Sequence, residues 1–147
     1  MMYVWNRDRL GQGTRFVAFL GGGPGFVGQP SYSPARRMLF EGHASIERNG
    51  KKVGDGVAAF SVDRACRFHP VWKRNTGLGN EPPPVVIGDV VFTAGGDAGG
   101  YVALSALSGR VLWRFPTQGA TYSPPIAAGG RIFAGELTGT LHSFVPG

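Results

Sequence analysis

The chain contains a single cysteine, Cys66, so no disulfide can form within it and cysteine usage does not reveal the redox compartment. No stretch approaches the roughly 20 apolar residues that a membrane-spanning helix needs. The opening residues do not read as a signal peptide. Arg7, Asp8 and Arg9 come early, and the apolar run Phe16 to Leu20 is too short for the core of one. No window keeps a 3.6-residue apolar period long enough for an amphipathic helix. Carboxylates are scarce, 9 against 15 lysines and arginines. These shortages leave an all-β reading and weaken any chemistry that depends on a dense acidic site.

Glycine and proline are abundant instead, 25 and 11 of 147 residues, well above ordinary usage. With 42% hydrophobic and 12% aromatic residues the chain is not of low complexity. Its glycines and prolines punctuate short apolar runs, as turns do. The net charge of +6 comes partly from the pairs Arg36-Arg37, Lys51-Lys52 and Lys73-Arg74. They are far apart and near expected turns, so they read as a solvated rim. A nucleic-acid reader clusters such charge along one element.

A repeat is visible. Pro84 to Phe92 overlays Pro125 to Phe133 at a shift of 41, with Pro, Gly and Phe coinciding and Val91 meeting Ile132. After a one-residue slip, Gly99 meets Gly139 and Leu104 meets Phe144 at a shift of 40. A period near 40 suits one four-stranded propeller blade. In the middle copy the expected strands are Val85 to Ile87, Val90 to Ala94, Tyr101 to Ala106 and Val111 to Pro116, rich in β-branched and aromatic residues and bounded by turns. The last copy supplies Pro125 to Ala128, Arg131 to Glu136 and Thr140 to Val145, without a fourth strand. The first copy uses Ser31 to Pro34, Met38 to Glu41, Val57 to Val62 and Phe68 to Lys73. Within it, Asn49-Gly50 marks an inserted hairpin between Ile46 and Val53. Tyr3 to Trp5 and Arg15 to Leu20 read as the last two strands of a preceding blade.

The expected fold is therefore a partial β-propeller of four-stranded antiparallel blades, about three and a half in number, forming one domain over 1–147. Residues 1–25 end a blade, 26–79 form the decorated blade, 80–118 the regular blade and 119–147 a blade lacking its outer strand. Closed propellers have 4–8 blades, so this arc is not expected to close its own ring. Unpaired strand edges invite pairing. The expectation is a C-terminal piece of a longer protein, completed by its remaining blades, or a chain that associates with itself or a protein partner.

The segment Ala103-Leu104-Ser105-Ala106-Leu107-Ser108-Gly109-Arg110-Val111-Leu112-Trp113 resembles the quinoprotein-like (PQQ-like) propeller repeat, whose blade reads Ala-x-Asp-x-x-Thr-Gly-x-x-x-Trp. Ala103, Gly109 and Trp113 match in register. Ser108 stands for the Thr, and Ser105 for the Asp, which weakens a side-chain bond to the turn. Ala59 to Trp72 is a degraded copy with three extra residues, and Gln29 to Pro34 resembles the family's blade opening. The resemblance implies that Ala59, Trp72, Ala103, Gly109 and Trp113 dock one blade against the next. It implies two functions. One is a non-catalytic scaffold of the BamB type, which binds protein or envelope components without a cofactor and acts outside the cytoplasm. The other is the C-terminal part of a quinoprotein dehydrogenase holding pyrroloquinoline quinone and calcium. The dehydrogenase would want a carboxylate cluster, since calcium takes 6–8 oxygen ligands, and in many members an adjacent cysteine pair, which this chain lacks. The expected partners are proteins, with no nucleic acid and no membrane span.

Other candidates read as structural. Gly23-Pro24-Gly25-Phe26-Val27-Gly28 matches G-x-G-x-x-G, but Pro30 and Pro34 preclude the helix whose N-terminus would hold a pyrophosphate. His43, His69 and His142 share no metal-ligand spacing with one another or with Cys66. Cys66, between Arg64 and Arg67, lacks a partnered base. Asp55, Asp63, Asp89 and Asp97 are dispersed among strand ends and loops, and Trp5, Trp72 and Trp113 fit structural places better than a cofactor sandwich. Trp113→Ala is expected to cost roughly 3–5 kcal/mol, as loss of a large buried aromatic does. A melting curve unchanged from the parent contradicts a docking role.

Overall fold

A computed structural model describes residues 2–14, 16–18, 29–43, 46–48, 51–53, 56–78 and 82–145. Short twisted strands dominate it. β1 (Met2–Val4) pairs antiparallel with β2 (Phe16–Ala18). Between them Arg7–Gln12 forms a 3-10 turn, opened by the Asn6 side chain accepting from the Asp8 N–H. The sequence reading did not anticipate this turn, because it is too short to carry an apolar period.

Three sheets follow. The first contains β3 (Ser31–Ser33), β4 (Met38–His43), β7 (Gly56–Val62) and β8 (Phe68–Arg74) in that spatial order. Its insertion is the hairpin β5 (Ile46–Arg48) and β6 (Lys51–Val53), with Ile46 opposite Val53. The second runs β9 (Val85–Ile87), β10 (Val90–Ala94), β11 (Tyr101–Ser105) and β12 (Val111–Phe115). The third contains β13 (Ile126–Ala128), β14 (Arg131–Gly135) and β15 (Leu141–Phe144). All pairings are antiparallel between chain neighbours, or between the strands that flank the inserted hairpin. This is the expected all-β architecture of unclosed propeller blades. Asn49-Gly50, Asp55 and the Gly23 to Gly28 stretch lie outside the described residues.

Register makes the repeat physical. One rung crosses the first sheet as Ser31, Phe40, Ala59 and Trp72. The same rung crosses the second as Val85, Phe92, Ala103 and Trp113, and the third as Ile126, Phe133 and Ser143. In both four-stranded sheets the ladder slips just after the alanine, so Val71 and Leu112 bulge out beside the tryptophan. The alanine has a steric purpose. Phe and Trp sit two strands apart, and only a small side chain between them lets the rings approach to 6.0 Å, as both Phe40–Trp72 and Phe92–Trp113 do.

The core lies between sheets. Met38, Phe40, Val57 and Ala59 of the first sheet bury against Val91, Val102, Leu104 and Ala106 of the second. Phe92, Ala94, Tyr101 and Ala103, on its opposite face, bury against Ile132 and Ala134 of the third. At roughly 1.5–3 kcal/mol per fully buried large apolar side chain, these two seams are the main source of stability. The leading strands β3 and β13 each lie against β9, so the innermost edges converge. Loops tie the second sheet to the third. Gly96 and Thr121 exchange backbone hydrogen bonds, and the Thr121 hydroxyl accepts from Gly95 N–H at 3.0 Å.

Gly109 is where backbone demand and packing meet. Its φ of +66° is the left-handed region, and a Cβ there would lie 2.6 Å from Trp72 Cε3. Gly88 has a similar φ of +53°, but a Cβ there would meet nothing within 4 Å. Gly109→Ala is expected to cost about 2–4 kcal/mol, combining dihedral strain with overpacking. Gly88→Ala should cost about 1–2 kcal/mol from strain alone. Equal losses in chemical denaturation contradict the close approach.

Candidate functional site

The most highly organised side-chain cluster is the lock between the first and second sheets. β8 carries Trp72 across the seam to the turn after β11. The indole N–H donates to Ala106 O at 2.9 Å, and the ring face lies on Gly109. Two residues on, Arg74 Nε donates to Gly109 O at 2.7 Å. In return, Arg114 Nη1 of β12 donates to Thr76 O at 2.8 Å. Each bond gives a backbone carbonyl of the facing sheet or its flanking segment a donor. At the other end of the seam Arg36 pairs with Asp89. Within the turn, Ser105 Oγ accepts from Ser108 N–H at the long distance of 3.4 Å.

The second seam is built differently. Tyr101 donates from its hydroxyl to Gly135 O at 2.9 Å, and burial, with the Glu136 charge nearby, pushes the phenol up to about 12. His142 stacks with Phe144 and meets Tyr101 and Phe115 edge-on. Its Nε2 is 3.8 Å from Glu136 Oε2. The Thr138 hydroxyl donates to Glu136 and lowers its carboxyl, against the opposing effect of burial. Trp113 occupies the same rung as Trp72 yet is 37% exposed. It rests on Phe144, with centroids 5.0 Å apart. Beside it is a cleft of about 430 Å³ lined by Phe92, Leu112, Ile132, Phe144 and Val145, among others. Trp72 meets a turn containing Ala106 and Gly109, whereas the residue matching Ala106 at the 40-residue shift is Pro146, outside the described residues.

The structure does not bring the remaining candidates together. Asp63 accepts from the Arg67 N–H at 2.9 Å, from Arg67 Nε at 2.8 Å and pairs with His69 at 3.2 Å. The Arg67 backbone bond and these partners hold its carboxyl well below the usual range despite burial. Cys66 is exposed in that turn with φ +59°, and Asp97 is exposed in the loop before β11. Among the described residues no three His, Cys, Asp or Glu side chains converge as a metal site requires. The calcium of the dehydrogenase reading finds no matching donor set there. No helix of the described residues is long and apolar enough to cross a membrane.

Sequence reasoning missed Glu41, which is 2% exposed on β4. Its signal was a carboxylate inside a strand otherwise written Met38-Leu39-Phe40. Arg74 and Tyr101 were also missed, since their bonds go to backbone atoms of a neighbouring sheet.

The family model described as outer membrane protein assembly factor BamB matches residues 58–144, more than half of the chain. The crystal structure of BamB from Moraxella catarrhalis is similar, with a TM-score of 0.63 and 18% identity, over 83% of this chain and 34% of that one. A luciferin-regenerating enzyme is similar with a TM-score of 0.55 and 8% identity, over 77% of this chain and 38% of that one. The chain thus spans little more than a third of either structure. No curated protein sequence matches it. At these identities the structures establish fold alone, and they include both an assembly factor and an enzyme.

Glu41 generates a pH prediction. Burial pushes its carboxyl up to about 8 from 4.5. Between those values the folded chain holds a proton that the unfolded chain has released, so stability falls as pH rises through the window and levels off above it. Glu41→Gln removes that term. Its melting temperature should exceed the parent's increasingly from about pH 5 to about pH 8. A constant difference over that range contradicts a buried, protonated Glu41.

Proposed function

We infer from its family that this chain is a non-catalytic scaffold: it belongs to the outer membrane protein assembly factor BamB family, whose members are PQQ-like repeat β-propellers. On this reading its blades present loops and edges to a protein or envelope component outside the cytoplasm. Ala59, Trp72, Ala103, Gly109 and Trp113 serve blade docking. The observation that carries the reading is how the chemically capable groups are used. Trp72, Arg74, Arg114 and Tyr101 cap carbonyls between sheets, and Asp63 and Asp89 hold cations at turns. The BamB family match, over residues 58–144, includes Asp63, Trp72, Arg74, Asp89, Tyr101 and Arg114.

The third sheet leaves Ile126, Leu141 and Val145 exposed. An apolar face of this kind is normally covered in a working protein. The reading therefore has the arc operating within a larger assembly, formed with further blades of the same protein or with its partner.

Two titrations test this function. Purified soluble domains of an outer-membrane assembly machinery should bind the chain saturably. Pyrroloquinoline quinone with calcium should neither bind tightly nor support dye-linked oxidation of alcohols or sugars. Absence of binding to every such domain overturns the scaffold reading. Saturable quinone binding with turnover replaces it with the dehydrogenase.

A further inference from the structure

We propose that the arginine-rich end of the first two sheets, around the turns Pro34 to Arg37, Asp63 to Arg67 and Ala106 to Arg110, is a docking surface for an acidic, extended segment of a partner protein. This deepens the scaffold reading and rests on it, since it specifies the chemistry the partner presents.

Strand direction brings these turns together. Register places Ser33, Met38, Val62 and Phe68 at one end of the first sheet. It places Ile87, Val90, Ser105 and Val111 at one end of the second. The two ends meet across the seam, because Arg36 of the first pairs with Asp89 of the second. Inside the first sheet Arg37 ties its turn to the next one, donating from Nε to Val62 O at 3.0 Å and from Nη2 to Asp63 O at 2.7 Å. In the second sheet Asp89 O accepts from the Ala106 N–H and Arg110 O from the Ser105 N–H, so Arg110 stands beside the Asp89 turn. The sequence scatters these arginines among separate turns, and the fold gathers them. Lys51 and Lys52 instead belong to the hairpin inserted at the opposite end, where His43 faces Gly56.

Positive charge at this end is in excess. Among the described residues of the three sheets it carries Arg36, Arg37, Arg64, Arg67, Arg110 and Arg131, against the carboxylates Asp63 and Asp89. Both carboxylates are already engaged, Asp63 by Arg67 and His69 and Asp89 by Arg36. The bonds of Arg37 go to backbone carbonyls, which fix its guanidinium and leave its charge unmatched. Arg64 and Arg110 are exposed and form no ion pair among the described residues. A guanidinium fork suits a carboxylate, which it can hold by two hydrogen bonds, and excess charge of one sign steers a partner of the other. Between the turns lies a cleft of about 440 Å³ lined by Tyr32, Ser33, Arg36, Val86 and Asp89, among others, with Tyr32 45% exposed. Such a recess accepts a side chain from a polypeptide, which favours an acidic peptide over the flat surface of an anionic membrane. A second copy of this chain is a poor occupant. It carries 15 lysines and arginines against 9 carboxylates, so two copies repel.

The test uses the full chain and a fluorescein-labelled synthetic peptide of Glu-Ser repeats around one central tyrosine. Anisotropy should show saturable binding that weakens about tenfold as salt rises from about 50 to about 300 mM. The matching Gln-Ser peptide should not bind. Arg64→Gln with Arg110→Gln should weaken binding about fivefold or more, and their exposure leaves the melting temperature near the parent's. Lys51→Gln with Lys52→Gln removes the same charge from the opposite end and should leave affinity within about twofold. Absence of binding, equal affinity for the Gln-Ser peptide, or equal loss in both double variants overturns the proposal. Retention on phosphatidylglycerol vesicles without peptide binding reassigns the surface to a membrane and also overturns it. If assembly-machinery domains bind the parent and the Arg64→Gln, Arg110→Gln variant alike, the scaffold reading survives and this surface does not.

Discussion

The arrangement depends on one contact, an indole laid against a glycine across the gap between two sheets. Trp72 supplies apolar area and an N–H. The turn at Ala106 to Gly109 supplies a carbonyl and an absence of side chain. Neither half substitutes easily. A smaller ring would leave the seam open, and any residue but glycine would strain the turn and strike the ring. Once the contact forms, the orientation of the second sheet against the first is set. Arg74 and Arg114 can then reach carbonyls on opposite sides of the seam. Small sheets cannot bury both faces alone, so this contact turns two marginal sheets into one packed body.

Much of this was legible in the sequence because it depends on spacing. The 40-residue rhythm predicted the strands closely, and the rungs Phe40, Ala59, Trp72 and Phe92, Ala103, Trp113 show why the repeat keeps a small residue at fixed distance from a tryptophan. What stayed hidden depends on the partner surface. Trp72 and Trp113 are equivalent in sequence, yet one is seated on a glycine turn and the other stands 37% exposed beside a cleft. The uniform docking role expected for both therefore becomes two different environments. Arg74 and Tyr101 were unreadable for the same reason, because backbone carbonyls in another sheet leave no mark on the residues they attract. Glu41 looked like the polar end of a strand, and only the fold shows that it is enclosed.

Family and fold agree, and the chemistry is subordinate to both. A propeller of this kind holds its blades with tryptophan, arginine and tyrosine, residue types that also build binding sites. Where the seams are filled those groups are engaged. Beside the third sheet, Trp113 is 37% exposed, and Ile126, Leu141 and Val145 of that sheet face outward.

The central claim, that Trp72 and Gly109 act as one unit, is tested most directly by a double-mutant cycle in chemical denaturation. If the ring and the glycine are locked, Gly109→Ala loses most of its penalty in the Trp72→Ala background, with a coupling of more than about 1 kcal/mol. Strictly additive losses would contradict it.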